Sequence, residues 1–201
     1  KMELPEDMFR LTDDGIEFIE TDINRVKGVN KEKSERFTRA MKNEGIQFPI
    51  KNIYGLPSTS KSKDDGYFMV DNKDDFFHLK MYDGEPQCHK IPLPVGMQVN
   101  GMNCLVDNVN YGYVYDQNYN IYLMRIKDYS FFQLPIYDYK DYGSLITMSE
   151  DLFFYTYQLY GLDRVKIYVV DKEHNLLASE TLVYPLYENS KVGQRELCIP
   201  L

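Results

Sequence analysis

Four short stretches carry the residue types that do chemistry. Ser58-Thr59-Ser60-Lys61 spells SxxK, a spacing that in serine acyl enzymes lets a lysine take the hydroxyl proton one helical turn away. Here it follows Pro57 in a polar loop, and neither SDN nor KTG appears, so a solvated loop is expected. Cys88 and His89 are adjacent, and strand neighbours point to opposite faces, so the pair does not converge on one ion. The three histidines, His78, His89 and His174, are not at ligand spacing. His78 alternates with Phe77 and Leu79, which predicts a solvent-facing ring, and His174 falls in a turn. The acidic run Asp71 to Asp75, DNKDD, invites a calcium test. An EF-hand loop needs oxygens at positions 1, 3 and 5, glycine at 6 and glutamate at 12, and here position 3 is Lys73, 6 is Phe76 and 12 is Tyr82. GxSxG, HExxH, GxGxxG and GxxxxGKS are absent. The reading is no catalytic residue, no metal and no cofactor.

The same acidic run belongs to a pattern. Hydrophobic strands end at Val70, Tyr115 and Val170, an aspartate follows each (Asp71, Asp116, Asp171), and hydrophobic chain resumes at Phe76, Ile121 and Leu176. An aspartate opening such a gap turns its carboxylate onto the next backbone amides, so each segment reads as a β-hairpin with a tied loop. A strand with a proline near its end trails two of them, at Pro92 and Pro135. Asp71 and Asp116 lie 45 residues apart, near the roughly 40 to 50 residues of a four-stranded propeller blade. Asp171 comes 55 residues after Asp116, which predicts an additional or longer hairpin in the third unit.

Upstream, Asp14-Gly15 reads as the turn of a hairpin between Phe9–Leu11 and Ile16–Ile19. An amphipathic helix follows, with Asn30 as its cap, Phe37, Ala40 and Met41 as its apolar stripe and Gly45 as its stop. The fold class is therefore mainly β: propeller-like antiparallel four-stranded repeats with one N-terminal amphipathic helix, or alternatively a β-sandwich or meander barrel. Residues 1–201 are read as a single domain, with the hairpin and helix in 1–60 and the β-repeat region in 61–201.

The chain has 23 Lys plus Arg against 31 Asp plus Glu, a formal charge of −8, and its acids are scattered through turns. Such a surface repels phosphate backbones, which argues against nucleic acid. Cys88, Cys104 and Cys198 are too few and too widely spaced for a disulfide framework or a zinc knuckle; one bridge plus one thiol, or three thiols, both fit. No apolar run reaches the roughly 18 residues of a membrane span. Of the 18 tyrosines, Tyr111, Tyr113, Tyr115, Tyr119 and Tyr122 form one cluster, and Tyr155 and Tyr157 sit in the aromatic run Phe153 to Gly161. These seven are the candidate partner surface, because aromatic anchors dominate interface energetics; the competing role is cross-strand packing.

The segments GIEFIETDINRV, NKEKSERFTRAMKNEGIQFP and IYGLPSTSKSKDDGYFMVDNKDDFFHLKM resemble an uncharacterised family of Bacteroidetes membrane proteins encoded near ABC transporters. The resemblance runs from about Met8 to Pro185, is one of sequence texture, and carries over no site residue. It implies an extracytoplasmic, periplasmic domain whose membrane contact is made by helices absent from this chain, with a membrane transporter protein as partner. Two functions fit: a non-catalytic binding, sensing or scaffolding domain, and a hydrolase using Asp65, Asp71, Asp75 and Asp116 in a central cleft. Paired acid chemistry needs two carboxylates within roughly 5 to 10 Å of each other.

Overall fold

The computed structural model describes residues 8–22, 25–57, 65–137, 139–142 and 146–184. It divides into two compact units, Lys1–Leu134 and Pro135–Leu201. The helix and hairpin of 1–60 share a core with the sheet that follows them.

The first unit opens with β1 (Met8–Leu11), β2 (Ile16–Asp22) and β3 (Arg25–Asn30), an antiparallel three-stranded sheet. Met8 pairs with Ile19 and Leu11 with Ile16, as the hairpin pattern predicts. The third strand is an addition. Its polar sequence RVKGVN, a left-handed Gly28 and a register shift opposite Glu20 and Thr21 hide the strand period.

Helix α1 (Lys31–Asn43) begins where the Asn30 side chain accepts the Lys33 amide at 3.0 Å, and Gly45 follows its end at φ +94. Hydroxyls stitch it to β2: Ser34 Oγ accepts from the Phe18 amide at 2.9 Å and Thr38 Oγ1 from the Ile16 amide at 3.0 Å. Gly15 permits that approach, since a Cβ there would sit 2.4 Å from Thr38 Oγ1.

Strands β4 (Asn52–Gly55), β5 (Tyr67–Val70), β6 (Phe76–Tyr82) and β7 (Glu85–Ile91) form one antiparallel meander. A second consists of β8 (Val99–Cys104), β9 (Asn110–Asp116), β10 (Ile121–Arg125) and β11 (Phe131–Gln133). Their first strands, β4 and β8, are in contact. The β4–β7 sheet is covered on both faces. Met69, Phe77, Leu79 and Cys88 join Ile16, Phe18, Phe37 and Met41 on the helix side. Phe68, Val70, Phe76 and Ile91 join Met102, Tyr111, Val114 and Met124 on the other. Strand alternation persists, but on β5 and the first half of β6 neither face meets solvent, and this corrects the reading of His78: it is fully buried (0 % exposed) between two layers.

The second unit has a one-turn helix α2 (Tyr139–Tyr142) and a third meander, β12 (Ile146–Glu150), β13 (Tyr155–Tyr160), β14 (Arg164–Val170) and β15 (Leu176–Val183). The fold is mainly β, with three four-stranded antiparallel sheets each running in sequence order, the connectivity of a propeller blade. Asp171 corrects the repeat alignment. Asp71 and Asp116 join the second and third strands of their sheets, whereas Asp171 joins the third and fourth. The spacing of 55 therefore reflects a turn displaced by one strand, the second-to-third connection here being made at Gly161, whose amide bonds the Arg164 carbonyl at 2.8 Å.

Candidate functional site

The three aspartate loops share one geometry. In each, the carboxylate accepts the amides two and four residues on: Lys73 and Asp75 for Asp71 (2.8 and 3.0 Å), Asn118 and Asn120 for Asp116 (both 2.8 Å), Glu173 and Asn175 for Asp171 (3.0 and 2.7 Å). The residue three positions on is left-handed in all three, Asp74 at φ 65, Tyr119 at 64 and His174 at 64. The second carboxylate oxygen is also occupied. Asn120 and Asn175 offer it their side-chain amides at 2.8 and 2.9 Å; Asp75 has no such donor, and the Gln47 backbone amide replaces it on Asp71 at 2.9 Å. These carboxylates are spent on their own loops. Asp75 pairs with Lys90 at 2.6 Å, and no group of three or more potential metal ligands occurs among the described residues.

The densest polar constellation lies between the β4–β7 and β8–β11 sheets, around His78. Its ring stacks on Phe68 (4.0 Å, 14°) and meets Tyr111 and Tyr129 edge-on. Nε2 lies 2.5 Å from the Asp65 carbonyl and Nδ1 2.9 Å from the Tyr129 hydroxyl. A carbonyl only accepts, so the proton of the neutral ring resides on Nε2, and Nδ1 accepts from Tyr129. The Tyr111 and Tyr129 rings stack on each other (5.4 Å, 21°), and the Lys80 ammonium donates to the Tyr111 hydroxyl at 3.0 Å. Lys80, Tyr111, Tyr129, His78 and the Asp65 carbonyl thus form one buried polar group. Gly66 allows the last contact, since at φ +71 a Cβ would meet the Leu79 carbonyl at 2.2 Å.

Burial sets the ionisation of this group. It lowers His78 to about 4, with Lys80 and His89 opposing its charge further, and it pushes Tyr129 up to about 12. Tyr111 is raised for the same reason, so at neutral pH imidazole and phenols are uncharged. Both ring nitrogens are engaged and the ring is sealed from water. This is a clamp between sheets, and Tyr129, Lys80 and the Asp65 carbonyl are members that sequence reading missed because they come from separate loops and strands.

The tyrosines named as a partner surface divide sharply. Tyr111, Tyr113, Tyr115 and Tyr157 are buried, which corrects their placement on a surface: their rings are taken up by packing within the fold. Tyr122 and Tyr155 are half-buried, and Tyr119 is exposed. The exposed apolar groups sit one turn away instead. Leu152, Phe153 and Phe154, in the turn between β12 and β13, are 86 %, 68 % and 39 % exposed. The turn is held by Asp151, whose carboxylate accepts the amides of Phe153 and Phe154 at 2.7 Å each and whose own amide donates to the Phe154 carbonyl at 3.1 Å. The β14–β15 loop lies at the same end of the sheet. From it Lys172 reaches the Glu150 carboxylate (2.8 Å) and the Asp151 carbonyl, 4.3 Å over the Tyr155 ring, which stacks on His174 (4.8 Å, 13°).

Residues 1–170 match the family described as domain of unknown function DUF4857. The chain belongs to the DUF4857 family. The match ends at the last residue of β14, so in this DUF4857 chain the Asp171 loop and β15 lie outside it. No curated protein matches the sequence. A solved structure titled "Structure of Dos1 propeller" is similar over 88 % of this chain, at 10 % identity and a TM-score of 0.43, and the chain spans 45 % of that structure. Within the DUF4857 fold the Ser58–Lys61 tetrapeptide and Cys198 fall outside the described residues, while Cys88 is a buried thiol and Cys104 is half-buried. Among the described residues no helix is long and apolar enough to cross a membrane.

Proposed function

We propose that this DUF4857 domain is a binding and scaffolding module that acts through a surface and not through a reaction. One observation carries the reading: the turn Asp151–Phe154 holds three apolar side chains out of the fold with its backbone tied in place, while the ionisable groups that would serve chemistry are consumed internally. Asp71, Asp116 and Asp171 close their own loops, and His78 has both nitrogens bonded inside a sealed aromatic box. A presented apolar turn is a cost to an isolated domain and an asset to one that docks. The resemblance to membrane proteins encoded beside transporters supports an extracytoplasmic position and a transporter component as partner. The hydrolase alternative gains nothing from the turn carboxylates of Asp71 and Asp116, which already accept three and four hydrogen bonds.

The test is recovery of membrane proteins from the native source by the tagged protein, with Leu152→Ser and Phe153→Ser combined as the comparison. Tyr157→Ser is unsuitable, because that ring is fully buried and its loss tests folding. Recovery of a transporter component by the wild type and not by the double variant supports the reading. Equal recovery by both, or turnover of a small substrate at enzymatic rates, overturns it.

A further inference from the structure

We infer that Tyr129 is an acid-operated lid: when the fold takes up a proton at His78, the β10–β11 turn carries Tyr129 away and lets water reach the ring. Four groups close around the imidazole. Phe68 stacks on it from β5 and Tyr111 meets it edge-on from β9, and both are buried on central strands. The Asp65 carbonyl is held against it by Gly66, where the chain runs too close to the Leu79 carbonyl for any Cβ. Tyr129 differs from these three, being half-buried and placed in the turn between β10 and β11. Its backbone is left-handed at φ 57, which a tyrosine does not favour, so leaving that conformation relieves strain. The turn is held by the Tyr129 amide on the Arg125 carbonyl at 3.1 Å, the Arg125 amide on the Ser130 carbonyl at 2.9 Å and the Ser130 amide on the exposed Asp128 carboxylate at 3.0 Å. Such a short, locally bonded segment opens at less cost than the strands that flank it.

The proton comes from water and enters at Nδ1, since Nε2 already donates to the Asp65 carbonyl. Nδ1 then becomes a donor facing the hydroxyl that had donated to it. The groups around the ring pull in both directions. Lys80 on the same strand and His89 on β7 oppose a cation, Asp65 favours it through its carbonyl and its charge, and Tyr111 on β9 and Tyr129 on the turn are uncharged phenols. Burial outweighs them and keeps the closed ring neutral, with a pKa of about 4 against 6.5 for an accessible imidazole. Opening is therefore favoured as pH falls below 6.5 and gains nothing more below 4, and the open population rises about 30-fold from pH 7.5 to pH 5. Asp128 is held below the ordinary carboxylate range by its Ser130 hydrogen bonds and stays charged over that interval, so the turn's own tie does not titrate there.

Amide hydrogen exchange on the whole chain, corrected for the intrinsic effect of pH, reads the opening. The Arg125 and Tyr129 amides should exchange about 30-fold faster at pH 5 than at pH 7.5 after that correction, without dependence on low urea. The Phe77 amide on β6 should exchange more slowly than either and accelerate with urea, as an amide freed by global unfolding does. In His78→Gln the pH effect on the turn should vanish. Tyr129→Phe keeps the ring and removes its donor, so its turn should exchange about fivefold faster than that of the wild type at pH 7.5. Turn amides that accelerate with urea in step with Phe77 would mean that acid acts only by unfolding the core; this overturns the inference, and the wild type decides it without any variant. A pH effect that persists in H78Q, or a Y129F turn that exchanges as the wild type does, overturns it equally.

Discussion

His78→Gln removes the imidazole buried between the β4–β7 and β8–β11 sheets and keeps one donor and one acceptor in its place. The wild-type ring has a pKa near 4 in the fold against 6.5 ordinarily, chiefly through burial. The folded state therefore binds fewer protons than the unfolded state between those two values. Its contribution to stability is complete above pH 6.5, is lost as pH falls toward 4, and changes no further below that. The whole interval corresponds to about 3 kcal/mol, of which about 2 kcal/mol is gone at pH 5. Geometry gives the same sign: protonating Nδ1 sets an N–H against the Tyr129 hydroxyl that donates to it, and places a cation beside Lys80. Urea denaturation followed by circular dichroism from pH 4.5 to 8 should show the wild type losing about 2 kcal/mol more than His78→Gln between pH 7.5 and pH 5. His89, His174 and the carboxylates are common to both proteins and cancel. Parallel stability curves, or a His78 ring resonance titrating near 6.5, would refute the argument that burial holds this ring neutral against the Asp65 carbonyl, whose hydrogen bond favours the cation.

Further outcomes follow from the loops, the thiols and the ligand inventory. Asp71→Ala and Asp116→Ala should each lower stability by about 1 to 2 kcal/mol and Asp171→Ala by about 0.5 kcal/mol, since the first two carboxylates are buried; thermal or urea unfolding measures the order. At the left-handed Tyr119, Gly should be more stable than Ala by about 1 kcal/mol in the same assay, because only Gly occupies φ 64 without Cβ strain. Burial pushes the Cys88 thiol up to about 12, so a thiol-disulfide exchange reagent at pH 8 should modify Cys104 well before Cys88, read by peptide mass mapping. Calcium or EDTA at about 1 mM should leave the melting temperature within one degree, read by differential scanning calorimetry, because Asp71 spends its oxygens on Gln47, Lys73 and Asp75 amides; a rise of several degrees would assign a cation site to that loop.

The loops were legible because their information is local. An aspartate that ties the amides two and four residues on leaves a trace in five consecutive letters, and DNKDD, DQNYN and DKEHN retain it though only the first position is common to all three. Which strands a loop connects is not local. Nothing in DKEHN distinguishes a third-to-fourth connection from a second-to-third one, and only the count of strands between loops does so. His78 failed for a related reason. Period-two alternation tells which residues share a face, and Phe76 and His78 do share one; it does not tell whether that face meets water or a second sheet. The mark of two-sided burial was present in the unbroken run Tyr67–Val70 and in Phe76-Phe77, where a half-exposed strand would interpose polar residues.

The tyrosines make the same point in energetic terms. A strand aromatic is a poor indicator of an interface, because cross-strand pairing and layer packing already reward its ring area and leave the hydroxyl to a neighbour, as Asn103 does for Tyr115 at 2.8 Å. A turn aromatic has no such reward. Phe153 sits where the chain reverses, 68 % exposed, in a loop whose amides are bound by Asp151 so that the ring does not fold back. Position in the fold, more than residue type, thus separates structural from binding aromatics. Stability and binding should separate accordingly: Phe153→Ser should leave the melting temperature unchanged within one or two degrees, while Tyr157→Ser, which opens a cavity under β12 and β14, should cost about 3 kcal/mol or more. If Phe153→Ser destabilises as much as Tyr157→Ser, the turn is part of a core after all, and the surface reading loses its footing.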